Sequence, residues 1–147
     1  MQIFIGADHG GYNLKLQIIE NLKNLGHQVS DVSPDFNPQD DYPIIGSKLA
    51  EALLSRSESF GIGICTNGQG ICMALNKFMG IRAGLVGSVS TVQEIRLHNN
   101  ANVICLSGRE ETIDSAMSLI KIFIKTSFLD KTRHSRRVGQ LDNLGQN

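Results

Sequence analysis

The chain has 147 residues, 41% of them hydrophobic and 19% charged, and its 14 basic and 14 acidic side chains give a formal net charge of +0. That length suits one core burying roughly two thirds of the extended surface with no metal or disulfide staple. The balanced charge offers no electrostatic footprint for a nucleic acid or a membrane surface.

From the amino terminus, residues 2–5 read as a short buried strand, followed by the glycine-broken loop Gly6-Ala7-Asp8-His9-Gly10-Gly11. Residues 12–25 carry helix periodicity, with Leu14, Ile18, Ile19, Leu22 and Leu25 near one face and Gly26 as the stop. Residues 28–32 read as a second strand. Residues 33–43 form a polar loop with Pro34, Pro38, Asp35, Asp40 and Asp41, and residues 44–54 a second helix. Residues 60–64 are a glycine-rich buried strand ending at Cys65. Past the turn Cys65-Thr66-Asn67-Gly68-Gln69-Gly70, residues 71–78 read as a helix stopped near Gly80. A strand over 81–86, a helix over 90–98 capped by Ser88 or Ser90, a strand over 101–106 and a long amphipathic helix over 111–123 complete the pattern.

No repeat or linker divides the chain, so residues 1–147 are expected to form one domain, with an arm over 127–147. Approaching that arm and within it, Lys121, Lys125, Lys131, Arg133, Arg136 and Arg137 face a single acid, Asp130. Three cysteines, Cys65, Cys72 and Cys105, with no close pairing motif point to a reducing, cytoplasmic setting. The first residues lack the features of a signal peptide, and no apolar run approaches the roughly 20 residues of a membrane span.

Strands alternating with helices predict an α/β fold, a parallel sheet with helices on both faces and right-handed crossovers. Ligands of such folds bind beyond the carboxyl ends of the strands. Asp8 and His9 follow the first strand there, residues 65–70 the central one, and Ser107-Gly108-Arg109 the last.

Each candidate has a plainer alternative. Cys65 is either a small buried residue or a reactive thiol, its thiolate favoured by the positive end of the following helix, with turn N–H groups placed for an oxyanion. Asp8 and His9 are either a cap and a solvated histidine, or a pair for proton exchange and anion contact. His98 fits a helix-end histidine facing the dipole as well as a catalytic one. Arg133 and Arg137, one helical turn apart, are a solvated face or a clamp for one anion. Cys72 and Cys105 read as packing residues, and His27 as structural or exposed. Cys65, His9 and His98 lack zinc-ligand spacing. The glycine turn lacks the lysine of a phosphate-binding loop and the third glycine of a dinucleotide fingerprint.

Several separated motifs in order carry a resemblance over essentially the whole chain. They are Gly6-Ala7-Asp8-His9-Gly10-Gly11, Asp41-Tyr42-Pro43, Cys65 to Gly70 with Ala74-Leu75-Asn76-Lys77, and Gly80-Ile81-Arg82-Ala83. His98-Asn99-Asn100-Ala101-Asn102-Val103 and Arg133-His134-x-x-Arg137-Val138 follow. The chain resembles the ribose-5-phosphate isomerase B family, which includes the galactose-6-phosphate isomerase subunits. The resemblance implies a three-layer α/β/α sandwich around a five-stranded parallel, Rossmann-like sheet with a C-terminal helical arm. It implies aldose–ketose isomerisation of a sugar phosphate with no cofactor and no metal.

In that reading His98, helped by Asp8, opens the furanose ring, and Cys65 moves the proton between C2 and C1 through a cis-enediolate. Turn N–H groups up to Gly70 hold the enediolate, with Thr66 and Gly68 in the same turn. His9, Arg133 and Arg137 bind the phosphate, and Tyr42 and Asn99 line the sugar site. One branch of the family has a glutamate base in the turn; Ile71 stands at that place here, and Cys65 puts the chain in the cysteine branch. That branch usually has threonine where this chain has Asn67, an amide that donates but cannot relay a proton as a hydroxyl does. Ribose 5-phosphate is the substrate the resemblance implies first. A hexose 6-phosphate of allose or galactose type, or a non-catalytic sugar-phosphate-binding or partner subunit, are the alternatives. The family implies a homodimer or dimer of dimers with shared active sites.

Overall fold

The computed structural model describes residues 1–145; Gln146 and Asn147, the end of the expected arm, lie outside the described residues. The elements run β1 (Gln2–Ala7), α1 (Tyr12–Asn24), β2 (Gln28–Asp31), α2 (Tyr42–Leu54), β3 (Ser59–Cys65), α3 (Gln69–Leu75), β4 (Ala83–Leu85), α4 (Val89–Asn99), β5 (Val103–Ser107), α5 (Ile113–Lys125) and α6 (Thr132–Asp142). The five strands form one parallel sheet in the order β2-β1-β3-β5-β4.

Strand alternation sorts the core into two layers. Ile3, Ile5, Ala7, Ile62, Ile64, Ile104 and Leu106 pack with Leu14, Ile18 and Leu22 of α1, Val92 of α4 and Ile120 and Phe123 of α5. The opposite face, with Cys65, Val103 and Cys105, packs with Ile45, Leu49 and Leu53 of α2 and Ile71 and Leu75 of α3. Each fully buried aliphatic side chain contributes about 1.5–3 kcal/mol. Helices therefore cover both faces of a five-stranded sheet, the three-layer sandwich expected, and α6 supplies the helical C-terminal region. Among the described residues no helix is long and apolar enough to cross a membrane.

Several boundaries depart from the periodicity. β1 runs two residues past Ile5 because Gly6 and Ala7 stay in register with Gly63 and Ile64 of β3. Leu25 caps α1 and is 52% exposed instead of lying on its buried face. α2 begins at Tyr42 because Pro43, at the start of the helix, lacks a donor the first turn does not need. α3 starts two residues before the expected Ile71 and stops at Leu75. Asn76 ends it by pairing with β4: its Nδ2 donates to the Ala83 carbonyl at 2.9 Å and its Oδ1 accepts from the Ala83 N–H at 2.9 Å.

Candidate active site

The strand order reverses between β1 and β3, and the loops leaving β1, β3 and β5 meet beyond their carboxyl ends. The Asp8 N–H donates to the Ile64 carbonyl at 3.2 Å, the Gly108 N–H to Cys65 at 2.9 Å, and the Arg109 N–H to Thr66 at 3.0 Å. The Ser107 hydroxyl also donates to the Thr66 carbonyl at 3.0 Å. Glycine makes this meeting possible. A Cβ on Gly10 would lie 2.1 Å from the Thr66 hydroxyl, and one on Gly108 would lie 2.2 Å from the Gly10 carbonyl oxygen. By sequence position Arg109 is only a strand-end residue; its backbone bond to Thr66 sets it beside the cysteine turn.

Asp8 is 5% exposed, and its carboxylate accepts from the Gly10 N–H at 2.9 Å. Burial pushes its pKa up, and the Gly10 bond and the neighbouring His9 only partly oppose that. His9 is exposed at the rim. Its Nδ1 lies 2.9 Å from Asp40 Oδ1, and its backbone N–H donates to the same oxygen at 2.8 Å. The hydrogen bond to Asp40 raises the His9 pKa, against the burial effect, and Asp8 adds to the rise. In the sequence Asp40 is one acid among several in a polar loop, and no spacing marks it as the partner of His9.

Cys65 ends β3 on the α2–α3 face, 3% exposed, with a free thiol. After it, Gly68 has φ +77°, and a Cβ there would meet the Leu106 backbone at 2.9 Å, so a side chain is excluded twice over. Asn67 Oδ1 accepts from the Gln69 N–H at 3.1 Å. The side chain of Asn67 thus occupies one of the turn donors expected for an oxyanion, while those of Gly70 and Ile71, in the first turn of α3, have no intrahelical acceptor. The Tyr42 ring covers Gly70 so closely that a Cβ there would lie 2.6 Å from its Cζ. Asp8, His9, Tyr42, Thr66, Asn67, Gly68 and Gly70 therefore gather around Cys65.

His98, Asn99, Arg133 and Arg137 do not. α4 runs back along the sheet, so His98 and Asn99 fall at the amino ends of the strands. Just beyond them, the Asn102 carbonyl accepts from the Gly61 N–H at 2.9 Å, and Gly61 is four residues, about 13 Å of strand, below Cys65. α6 lies at that same end. The His134 ring stacks on His98 with centroids 4.7 Å apart, the Leu129 N–H donates to the Leu97 carbonyl at 3.0 Å, and Asp142 pairs with Arg82 at 2.8 Å ahead of β4. Arg133 and Arg137 are exposed there. The expected site residues thus divide into two groups at opposite ends of one sheet.

Of the remaining thiols, Cys105 is fully buried and Cys72, half-buried, packs against the same core layer, as packing residues should; Cys72 also lines a cavity of about 500 Å³ with Gln69, Met73, Asn76, Lys77 and Leu85. Among the described residues no three His, Cys, Asp or Glu side chains gather as metal ligands.

The Ribose/Galactose Isomerase family matches residues 3–141. Ribose-5-phosphate isomerase B of Mycobacterium leprae is 38% identical over 139 residues, covering 94% of this chain and 86% of that protein. The solved structure of ribose-5-phosphate isomerase B from Clostridium thermocellum is 40% identical and superposes with a TM-score of 0.93, covering 99% of this chain and 98% of that one. The same enzyme from Mycoplasma genitalium, solved with bound ribulose-5-phosphate, is 37% identical with a TM-score of 0.87, covering 99% and 97%.

Proposed function

The chain belongs to the ribose/galactose isomerase family, and we propose that it interconverts ribose 5-phosphate and ribulose 5-phosphate at a site built around Cys65. The observation that carries this reading is the meeting of Asp8 and the Cys65 turn at the reversal of strand order, locked by the close approaches of Gly10 and Gly108.

The reaction needs a proton moved twice. Ring opening takes a proton from the anomeric hydroxyl and gives one to the ring oxygen. Asp8, whose burial favours the protonated form, suits the donor role. The open-chain aldose then loses its C2 proton to the Cys65 thiolate, and the electron pair forms the cis-enediolate. Return of the proton to C1 leaves the C2 ketone. A proton beside a carbonyl is a weak acid, so aimed donors of the turn that stabilise the enediolate oxygen are worth several kcal/mol. His9 and Arg109 supply the anion contacts at this end, and anchoring the phosphate there orients the reacting carbons.

His98, Asn99, Arg133 and Arg137 enter from a second copy. An isologous two-fold that sets two sheets head to foot brings the amino-end group of one chain to the carboxyl-end group of the other. The edge strand β4 with exposed Leu85 and the exposed Met73 of α3 offer apolar surface for such a contact. The two-chain site is therefore the form in which both groups of residues act on one sugar phosphate.

The test is a kinetic screen of ribose 5-phosphate, allose 6-phosphate and galactose 6-phosphate in the presence of EDTA. Ketose formation fastest from ribose 5-phosphate is the expected result. Binding without turnover of any of the three would overturn the isomerase reading, and turnover of a hexose phosphate alone would move the substrate assignment.

A further inference from the structure

We propose that Asp40 is the positioning residue for His9, fixing its imidazole with Nδ1 bonded inward and Nε2–H presented to the substrate phosphate, and that the buried Lys15 holds the loop that delivers Asp40. The proposal rests on the phosphate role given to His9 above.

One carboxylate oxygen of Asp40 receives both the backbone N–H of His9, at 2.8 Å, and its Nδ1, at 2.9 Å. A carboxylate only accepts, so Nδ1 carries a hydrogen and the ring cannot flip without losing that bond. The Asp40 side chain is 13% exposed against 46% for His9, so the anchor is sheltered and the working end faces outward. Asp40 and Asp8 are the charged groups acting on the ring, and both favour imidazolium. In that form Nε2–H is a charge-assisted donor, stronger towards a phosphate oxygen than a neutral N–H.

Asp40 sits on the loop between β2 and α2, which is tied down at its start. Lys15 is fully buried, and its Nζ is 2.9 Å from Asp31 and donates also to the Ser33 carbonyl. Ser33 Oγ accepts from the Ala7 N–H and donates to the Ala7 carbonyl, each at 3.0 Å. The residue before Asp8 is thereby stitched to the start of the Asp40 loop. Tyr12 adds a hydroxyl bond to the Pro34 carbonyl at 3.1 Å and an edge contact to Phe36 at 5.2 Å. A lysine Nζ buried without hydrogen-bond partners is costly, and Asp31 and Ser33 supply them here. What they accomplish together is a fixed height for Asp40 relative to His9.

Asp40→Asn keeps an acceptor for the backbone N–H and removes the charge. Nitrogen-15 NMR of the histidine rings should show the His9 titration midpoint move down. The dissociation constant of ribose 5-phosphate, read by calorimetry, should rise about tenfold, with kcat changing by a smaller factor than KM. In a His9→Gln background the same substitution should change affinity by less than about twofold, because its route of action is gone. An unmoved midpoint, unchanged affinity, or an equal loss in the His9→Gln background would each overturn the proposal. Calorimetry needs no turnover, so a wild-type protein that binds but does not isomerise would sink the isomerase reading, while the binding comparison would still decide the role of Asp40.

Discussion

The imidazole rings of His98 and His134 lie within 13° of parallel, 4.7 Å between centroids, at the end of the sheet opposite Cys65. His134 is 3% exposed, so it gives His98 a fixed platform. In the head-to-foot pair of chains proposed above, that end of the molecule would face the partner's cysteine turn.

A split site predicts complementation. Cys65→Ser and His98→Gln each disable both sites of their own homodimer. Co-expressed or exchanged at equal amounts, about half of the dimers carry one of each chain, and each of those has one intact site. Activity should recover to about a quarter of the wild-type value. Activity of the mixture no greater than the mean of the two variants would mean that each chain holds its own site.

The same stack sets a pH dependence. Burial first, then the charges of Arg133, His98, Arg137 and Lys131, hold the His134 imidazole below its ordinary value of 6.5. The unfolded chain then binds more protons than the folded one below that pH. The contribution of His134 is therefore fully present above about pH 6.5 and is lost as pH falls through the lower, folded value. His134→Phe keeps a planar ring and cannot titrate. Its melting temperature should fall less steeply than that of the wild type on going from neutral to mildly acidic pH; parallel curves would contradict the assignment.

The carboxyl-end group of candidate residues was readable in the chain, because they follow strands directly and the glycines that let their loops touch are written beside them. The other group was not. His98 and Arg133 carry motifs, but the parallel sheet makes α4 run back along the strands and leaves them at the end opposite Cys65, and no spacing within one chain joins the two ends; the second chain proposed above would do so. Asp40 was invisible for a different reason: its partner is 31 residues away, and a polar loop offers no periodicity from which to pick one acid among several. Lys15 breaks the rule that lysine faces water, and its partners Asp31 and Ser33 lie 16 and 18 residues away, beyond any helix spacing. The boundaries of α3 missed by two or three residues because side-chain bonds from Asn67 and Asn76, and not hydrophobic pattern, begin and end it.

Asn67 separates two functions in one side chain. Its Oδ1 caps the Gln69 N–H, and its Nδ2 remains as a donor at the exposed rim of the turn. Asn67→Asp keeps the cap and puts a negative charge beside the nascent enediolate, so kcat should fall by at least about tenfold with the melting temperature nearly unchanged. Asn67→Ala loses the hydrogen bond to the Gln69 N–H as well, at about 1 kcal/mol of stability. Steady-state kinetics and thermal melts on the pair distinguish these effects. Equal activity of the Asp variant and the wild type would remove Asn67 from the reacting end.

Cys65 carries the most direct prediction. Serine fits the same buried space, 3% exposed at the end of β3, so Cys65→Ser should fold and keep the phosphate contacts proposed for His9, Arg109 and the arm. A serine hydroxyl does not ionise near neutral pH, so the base for the C2 proton is gone. The expected result is a loss of kcat of about 10²–10⁴-fold with the dissociation constant of ribose 5-phosphate within a fewfold of the wild type. Exchange of the C2 proton with deuterated solvent, followed by NMR, should stop to the same degree, because exchange and isomerisation share the proton-abstraction step. Affinity and turnover falling together would assign Cys65 to binding. Retained exchange with lost isomerisation would put the base elsewhere, since the proton would then be leaving C2 without the thiolate.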